Sequence, residues 1–549
     1  MTRKTILFFF VMLFTSLTYA QLASYDEVIE GNINTDKVLS STKKYLLKGF
    51  VNINAPATLT IPAGTIIYGE KSSKATLIIN RGAKINAVGT AQKPIIFTSQ
   101  QPIGQRGAGD WGGIILAGNA TINVPGGTAT IEGGTGTIYG GGAAPNDDDN
   151  SGTLKYVRIE FPGIAFLPDN EINGLTMGGV GRGTTIHYVQ VSYSGDDSFE
   201  WFGGTVNAQH LIAFKGVDDE FDTDFGFRGK IQFAFGLRDP NIADISGSNG
   251  FESDNDGTGT TNAPRTQPLF SNVTIIGPLT TPDFTNYNSN FKRGMHLRRS
   301  SLCSMYNSVV IGYPTGLFIQ SSNSANGATA DELQIKNSII AGAKINSGIS
   351  QNLTTDVAGF DISAWFNTVS FGNRTYNTSA EVGLVAPFNL LNPNPLPSAN
   401  SPAASGASFG GKLQDQFFTA TTFIGAFSPT DARWDAGWTN YDPQNTNYTL
   451  VSVKEDFNSA IPVTFALSQN YPNPFNPTTN IKFALPQAGN VKLTIYNTIG
   501  QEVAQLVNGY KEAGSYTLNW DGSNLSSGIY IYRLETANIV ITKKMTLLK

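Results

Sequence analysis

The sequence has little charge, one cysteine and only three histidines among its 549 residues. Charged residues make up 14% of the chain, whereas a typical globular domain has about 25%. With a net charge of −5, the chain offers no phosphate-neutralising surface, which excludes a nucleic-acid binder. Such low charge also excludes a coiled coil. The lone Cys303 permits neither an internal disulfide nor a cysteine-based zinc site.

Glycine and aromatic residues are plentiful instead. The chain contains 59 glycines, 34 phenylalanines and 20 tyrosines, and 40% of its residues are hydrophobic. Glycine tolerates the positive φ angles of tight turns, and this apolar content suffices for a large core. The composition predicts a turn-rich, all-β protein.

The N-terminus has the pattern of a secretory signal peptide over residues 1–20. Arg3 and Lys4 precede an apolar segment at residues 5–14, and we expect cleavage between Ala20 and Gln21. The apolar segment is too short to span a bilayer, and no later run reaches about 18 apolar residues. The chain is therefore expected to be exported.

A repeat begins near residue 49. Residues 59–69 (LTIPAGTIIYG) are similar to residues 77–89 (LIINRGAKINAVG), with Leu59 matching Leu77 at an offset of 18. None of these short units can bury its apolar face alone, whereas stacking in coils about 4.8 Å apart buries it. The repeat predicts a parallel β-helix.

The spacing lengthens further along the chain. YVRI from Tyr156 recurs as YVQV from Tyr188, and His187 and His210 are expected to stack in adjacent coils. One asparagine per coil before a β-branched run predicts an asparagine ladder in the stacked turns. These asparagines are Asn272, Asn307 and Asn337.

Several of these phrases resemble the secreted right-handed β-helix proteins of Bacteroidetes-type bacteria. The resemblance rests on residues 77–99, on DWGGIILAG at 110–118 and on the closing segment at 423–443. It implies a right-handed parallel β-helix, a pectate-lyase-like solenoid with loop insertions, over residues 21–445. It is only weakly specific for activity.

The composition changes after a polar linker at residues 446–462. The run YPNPFNP at 471–477 contains three prolines, which forbid helix and central strand alike. Short alternating strands punctuated by glycine follow. They predict a small Ig-like β-sandwich over residues 463–549.

This C-terminal segment resembles the type A sorting domain of the type IX secretion system (Por secretion system). YPNPFNP, VKLTIYNTIGQEV, WDGSNLSSGIYIYRL and KKMTLL carry the resemblance. It implies export by the outer-membrane type IX machinery to the cell surface or beyond, cleavage by a sortase-like protease, and attachment of the passenger to surface lipopolysaccharide. The motif residues are Tyr471, Pro472, Asn473, Pro474, Phe475, Gly528 and Tyr530.

Acidic residues concentrate between positions 196 and 256, where the local charge balance is −9. Such dense like charges repel one another, and a divalent cation would relieve the repulsion. Carboxylate oxygens suit calcium, although a solvated acidic face without metal explains the cluster equally well. The candidate calcium ligands are Asp196, Asp197, Asp218, Asp219, Asp222, Asp224, Asp254 and Asp256.

Two spacings sharpen this prediction. Asp196-Asp197 and Asp218-Asp219 are separated by about one coil, so the two pairs are expected to stack. On a strand, Asp218 and Glu220 would share one face with Asp222 and Asp224, because alternate side chains point the same way.

The sequence favours a secreted or surface β-helix protein that binds or adheres to glycans or surfaces, with calcium stabilising its acidic coils. The alternative is a calcium-dependent polysaccharide lyase or a hydrolase on the same scaffold. A lyase needs a basic residue beside the metal, but no catalytic residue is assigned, and a solvated coil edge explains the basic cluster at 292–299 as well. The basic residues near the acids in sequence are Lys215, Arg228, Lys230, Lys292, Arg293, Arg298 and Arg299.

Overall fold

The computed structural model contains two compact units, one ending at Gln444 and one beginning at Asn445. It describes residues 22–167, 170–344, 353–448, 453–455, 462, 464–511, 513–523, 525–537 and 539–549. The predicted signal peptide with its cleavage point at Ala20 and Gln21, and part of the predicted linker, lie outside these residues. Within the described ranges, no helix is long and apolar enough to cross a membrane.

The first unit is a solenoid of parallel coils. Among the described residues, 26 strands form one continuous sheet, in which strands pair in parallel with strands of the adjacent coils. β10–β11 and β13–β14 are antiparallel hairpins that leave the coil. The strands are β1 (Glu27–Ile33), β2 (Lys37–Val38), β3 (Lys44–Ile53), β4 (Thr58–Pro62), β5 (Ile66–Gly69), β6 (Thr76–Ile79), β7 (Lys84–Val88), β8 (Ile95–Ser99), β9 (Gly113–Ala117), β10 (Ala129–Thr130), β11 (Ile138–Tyr139), β12 (Gly152–Glu160), β13 (Ile164–Leu167), β14 (Asn170–Ile172), β15 (Leu175–Val180), β16 (Thr185–Ser192), β17 (Phe199–Gly204), β18 (Asn207–Phe214), β19 (Phe221–Asp224), β20 (Lys230–Leu237), β21 (Phe251–Ser253), β22 (Leu269–Ile276), β23 (Arg293–Leu297), β24 (Ser304–Tyr306), β25 (Val309–Ile311), β26 (Thr315–Ile319), β27 (Ile335–Lys336), β28 (Ile339–Ala341), β29 (Leu353–Thr354) and β30 (Arg374–Tyr376).

The rest of the first unit is less regular. A short antiparallel pair, β31 (Leu384–Ala386) and β32 (Asn394–Pro397), follows the last coil. The helices are α1 (Ser322–Thr329), α2 (Ile362–Phe366) and the 3-10 turns Val369–Phe371, Ser379–Val382, Pro402–Ala404 and Gly411–Gln414.

The first repeat is not the period of the solenoid, contrary to the prediction. Leu59 in β4 aligns with Ile85 in β7 of the next coil, rather than with Leu77. Leu77 lies in β6, which aligns with β9 of the next coil. The repeated phrase therefore marks successive strands within one coil, because each strand is ended by a glycine turn in the same way.

The longer spacings are confirmed. Val157 aligns with Val189, as the recurrence of YVRI as YVQV predicts. Asn272, Asn307 and Asn337 occupy equivalent corners with φ angles of 54°, 50° and 52°, a conformation that asparagine tolerates. Their amides do not form a ladder among themselves: Asn272 Nδ2 donates to Phe423 O at 3.1 Å and Asn307 Nδ2 to Ser408 O at 3.1 Å.

The two histidines meet at a neighbouring corner but not as equivalents. His187 aligns with Gln209, whereas Tyr188 and His210 share the corner position with φ angles of 58° and 59°. His187 Nε2 lies 2.8 Å from His210 Nδ1. Burial lowers the pKa of His187 to about 4 and that of His210 to about 3, so both rings are neutral near pH 7.

The segment 401–444, here called the strap, covers an apolar outer face of the solenoid. Ile424, Phe427 and Trp438 are buried against a row that includes Phe235 and Ile311. Polar side chains of the coils also hold the strap in place: Asn440 N donates to Gln190 Oε1 at 2.9 Å and Thr419 N to Gln232 Oε1 at 2.8 Å. The solenoid thus has two layers of core, one inside the coils and one beneath the strap.

The second unit consists of two four-stranded antiparallel sheets, as expected for a small Ig-like sandwich. Their strand orders are β33-β38-β35-β34 and β37-β36-β39-β40. Trp520, Leu493, Tyr532 and Met545 lie in its separate core. The strands are β33 (Val453–Glu455), β34 (Ala466–Leu467), β35 (Thr478–Leu485), β36 (Gly489–Tyr496), β37 (Glu502–Lys511), β38 (Gly514–Asp521), β39 (Gly528–Thr536) and β40 (Val540–Leu547).

Replacing a buried strap residue should destabilise the solenoid. Ile424 is 1% exposed, whereas Ile245 is 91% exposed. We expect Ile424→Ala to cost about 2–5 kcal/mol through the lost apolar contacts and the cavity, seen as a lower Tm in circular dichroism. Ile245→Ala is the matched control and should leave Tm nearly unchanged. Equal shifts in the two variants would show that the strap is not part of the core.

Candidate functional site

The predicted acids lie on one outer face of the solenoid. β15, β17, β19, β21 and β23 stack in parallel, and the inward residues Phe199, Phe221 and Phe251 pack ring on ring in the core. Because strand side chains alternate, the next residue of each strand points outward. This outward row consists of Thr176, Glu200, Asp222, Glu252 and His296.

A second row lies in the turns that precede these strands. Asp219 N donates to Asp197 Oδ1 at 2.8 Å, and Asn249 N donates to Asp219 Oδ1. One oxygen of each aspartate therefore fixes the turn of the next coil. The expected stacking of the two aspartate pairs is confirmed.

The two rows bring carboxylates into three groups that share members. In each group, one oxygen from every residue lies within 4.8 Å of the others. Ligand atoms around a calcium ion have this separation, since calcium–oxygen distances are about 2.3–2.6 Å. The groups are Asp196, Asp197 and Asp218; Asp197, Glu200 and Asp222; and Asp219, Asp222 and Glu252.

In the part of the chain that the structure describes, protein cations neutralise only one edge of this cluster. Arg298 contacts Glu252 and also Asp254, with Nε 2.9 Å from Asp254 Oδ1. The imidazole of His296 lies 3.1 Å from Glu252, but burial lowers its pKa to about 4, so it adds no charge near pH 7. Among the described residues, no lysine or arginine nitrogen lies within 4.0 Å of the carboxylates of Asp196, Asp197, Glu200, Asp218, Asp219 and Asp222.

Burial raises the pKa of all seven carboxylic acids in the three groups, because a charge is less stable away from water. The pKa of Asp219 rises to about 7. Burial and then the neighbouring carboxylates Glu252 and Asp219 raise the pKa of Asp222 well above its ordinary value. Near neutral pH, the cluster is therefore stabilised by bound protons or by a bound cation.

Two buried asparagines close the ends of the cluster. Asn249 Nδ2 lies 3.1 Å from Glu252 Oε2, and Asn173 Nδ2 contacts Glu200. Each asparagine is 1% exposed, and the Oδ1 of each has no hydrogen-bond partner among the described residues. Exchanging the oxygen and nitrogen of either amide would turn this oxygen toward the carboxylates, which is favourable only with a cation between them.

Three of the predicted ligands lie outside the three groups. Asp224 Oδ1 accepts a hydrogen bond from the N–H of Phe225 at 2.6 Å, and Asp254 pairs with Arg298 and Arg299. Burial alone would raise the pKa of Asp256, but hydrogen bonds from Thr260 and Thr258 lower it overall. These side chains are engaged in local contacts.

The expected position of Glu220 is wrong. Its side chain is fully buried and pairs with Arg238, whose Nη1 lies 2.8 Å from Glu220 Oε1. Asp222 and Asp224, in contrast, are half-buried on the outer face. The alternation fails because β19 begins only at Phe221, so Asp218 and Glu220 both belong to the preceding turn.

Four members of the site are absent from the predicted ligands. Glu200 and Glu252 align with Asp222, and Asn173 and Asn249 precede their strands at the same distance as Asp197 and Asp219. The phenylalanine that opens β17, β19 and β21 could have given this register. Glu132, in the insertion after β9, reaches Asn173 and has a pKa raised by burial to about 7, and nothing in the sequence indicates its position.

The basic residues nearest in sequence pair elsewhere. Lys215 lies 3.5 Å from Asp239 and Arg228 3.1 Å from Asp147, while Lys230 pairs with Asp415 on the strap. The later cluster is the one that meets the acids, through Arg298 and Arg299. Arg293, the first residue of β23, lies beside these acids with its guanidinium carbon 4.6 Å from the centre of the Phe318 ring.

The residues of the sorting motif meet at the last strand of the second unit. Phe475 N donates to Thr546 O at 3.0 Å, and Thr546 N donates to Asn473 Oδ1 at 2.9 Å. Phe475 is buried, whereas Tyr471 is 79% exposed. Gly528 and Tyr530 align with Leu547 and Met545, so the motif and the C-terminal strand, far apart in sequence, form one surface.

The structure thus defines a solenoid of parallel coils with an acidic outer face, joined to an antiparallel sandwich. A family model for the pectate-lyase-like β-helix domain matches residues 31–383, and one for the secretion system C-terminal sorting domain matches residues 469–547. The chain belongs to the pectate-lyase-like β-helix family. No curated protein and no solved structure matches it significantly. Its sorting domain directs export through the type IX secretion system to the cell surface or the extracellular space.

Removing one acid should stabilise the metal-free protein at high pH. The raised pKa of Asp222 means that the folded state binds its proton more tightly than the unfolded state does. The free energy of unfolding therefore falls as the pH rises from the carboxyl's pKa in the unfolded chain, about 4, through its higher pKa in the folded chain. In EDTA at pH 8, we expect Asp222→Asn to raise Tm by about 1–3 °C, with little change at pH 4.

The matched control for this measurement is Asp431→Asn, which alters an exposed acid of the strap. Its Tm should not change at either pH. A lower Tm for Asp222→Asn in EDTA at pH 8 would show that the Asp222 carboxylate stabilises the metal-free coils, contrary to the expected repulsion.

Proposed function

We propose that the β-helix binds an acidic polysaccharide outside the cell through calcium held by its acidic face, without cleaving it. The observation that carries this proposal is the set of six clustered carboxylates that, among the described residues, have no lysine or arginine nitrogen within 4.0 Å: Asp196, Asp197, Glu200, Asp218, Asp219 and Asp222. Carboxylates stacked at one per coil repel one another in the absence of counter-charge. A divalent cation relieves this repulsion and leaves coordination positions for a ligand.

The edge of the acidic face supports an acidic ligand. Arg293 is half-buried over Phe318 and, among the described residues, no carboxylate lies within 4.0 Å of its guanidinium nitrogens. A ligand carboxylate bound there would pair with Arg293, and the next carboxylate would complete the coordination of a calcium ion. Acidic sugars repeated along a polymer supply both groups.

The alternative function is a polysaccharide lyase or hydrolase. A lyase needs a base, and Arg298 is the arginine closest to the acids. Burial alone would lower the pKa of Arg298, but Glu252 and Asp254 outweigh it and hold that pKa above its ordinary value. An arginine held in its charged form is a poor base, which favours binding over cleavage.

Retention on acidic polysaccharides tests the proposal. The chain without its signal peptide (residues 21–549) is passed over immobilised acidic and neutral polysaccharides in calcium and then in EDTA. We expect retention on acidic polymers in calcium, loss of retention in EDTA, and no new chain ends. Because Asp222 belongs to two of the carboxylate groups, Asp222→Asn should weaken retention at least tenfold.

The control Asp431→Asn should be retained like the unaltered chain. New reducing or unsaturated chain ends that do not form in EDTA would contradict binding without cleavage and would support the lyase or hydrolase instead. Equal retention in calcium and in EDTA would remove calcium from the mechanism.

We also infer that the sorting domain is removed after export and that the passenger is attached to surface lipopolysaccharide, as the resemblance implies. The expected result is a cell-surface form that an antibody to residues 21–445 detects and an antibody to residues 463–549 does not. Attachment should spread this form to heterogeneous, higher apparent masses on a denaturing gel. A sharp band that both antibodies detect would contradict this inference.

A further inference from the structure

The three carboxylate groups overlap. Asp197 belongs to the first and second groups and Asp222 to the second and third, whereas Asp218 belongs to the first alone. Two groups bridge the coils of β17 and β19, and the third bridges the coils of β19 and β21. A carboxylate has two oxygens, so that one aspartate can bind two neighbouring cations.

The buried asparagines provide an independent observation. Asn249 contacts Asp219 and Glu252 of the third group, and Asn173 contacts Glu200 of the second. Both side chains are 1% exposed; Nδ2 is the atom of each amide that contacts the acids, and among the described residues Oδ1 has no hydrogen-bond partner. A buried polar atom without a hydrogen bond is costly. Turning either amide over would place its oxygen against the carboxylates, where a hard cation is a suitable partner for it.

The charges of the cluster match the same arrangement. The three groups contain seven carboxylates, of which Glu252 pairs with Arg298. Among the described residues, no lysine or arginine nitrogen lies within 4.0 Å of the other six carboxylates, and the guanidinium of Arg238, which pairs with Glu220, lies beyond that distance. Three divalent cations would balance those six negative charges.

We propose that the acidic face binds three calcium ions that share ligands, with Asp197 joining the first ion to the second and Asp222 joining the second to the third. This arrangement rests on the proposed calcium-dependent function and specifies how the ions are held. Replacing different aspartates should therefore remove different numbers of calcium ions. A shared aspartate holds two ions, whereas an unshared one holds a single ion.

Counting bound ions tests this arrangement. The chain comprising residues 21–549 is dialysed against calcium chloride at a concentration that just saturates it, and bound calcium is measured by mass spectrometry. We expect three ions for the unaltered chain, two for Asp218→Asn and one for Asp222→Asn. Asp222→Ala repeats the measurement without an amide oxygen, and unchanged circular dichroism in EDTA confirms that each variant folds.

The control Asp431→Asn should bind three ions. One ion in the unaltered chain, or equal losses in Asp218→Asn and Asp222→Asn, would overturn the shared arrangement. Polysaccharide retention is a separate readout. One ion with retention intact would refute the arrangement alone, whereas three ions without retention on any polysaccharide would refute the proposed function alone.

Discussion

In-register stacking of parallel coils is the constraint on which the first unit depends. Each position of a coil lies directly over the same position of the next, about 4.8 Å away. For apolar residues the result is favourable: the rings of Phe199, Phe221 and Phe251 stack with centroids 5.5 Å and 5.2 Å apart. For acidic residues the result is unfavourable, because the same register places the carboxylate of Glu200 beside that of Asp222.

The fold itself does not require acids in this row. In the preceding coils the same outward position is occupied by Ile78 and Ile115, which are buried beneath the insertion that follows β9. The scaffold can therefore cover this position with apolar contacts. Replacing uncompensated buried charge by apolar residues generally stabilises a protein. A row of acids in place of isoleucines thus lowers the stability of the free protein, as expected of a site kept for a ligand.

The fold class could be predicted from the sequence because stacked coils leave a visible pattern. The recurrence of YVRI from Tyr156 and the three asparagines are pairings of adjacent coils. The shorter repeat from Leu59 does not give the length of a coil. An apolar run followed by a glycine turn has the same sequence pattern whether the next such run lies in the same coil or in the next one. The register between strands is defined by which residues are hydrogen-bonded to each other, and the amino-acid composition does not reveal these pairs.

The candidate site could be predicted only in part for the same reason. The spacing between the two aspartate pairs was enough to stack Asp197 on Asp219. Coils of unequal length hid the other members, because the intervals from Asn173 to Asp197 and from Asp222 to Glu252 both differ from that spacing. Glu220 was misplaced because one residue decides whether a side chain belongs to the turn or to the strand.

A site built from repeated coils suits a repeated ligand. The acids lie on paired strands and on turns fixed by hydrogen bonds, so their spacing is set by the backbone and changes little on binding. A polymer along this face would meet similar groups at successive coils. If one sugar were bound, the next would be held near its own site, and several weak contacts would then combine into strong binding of the whole polymer.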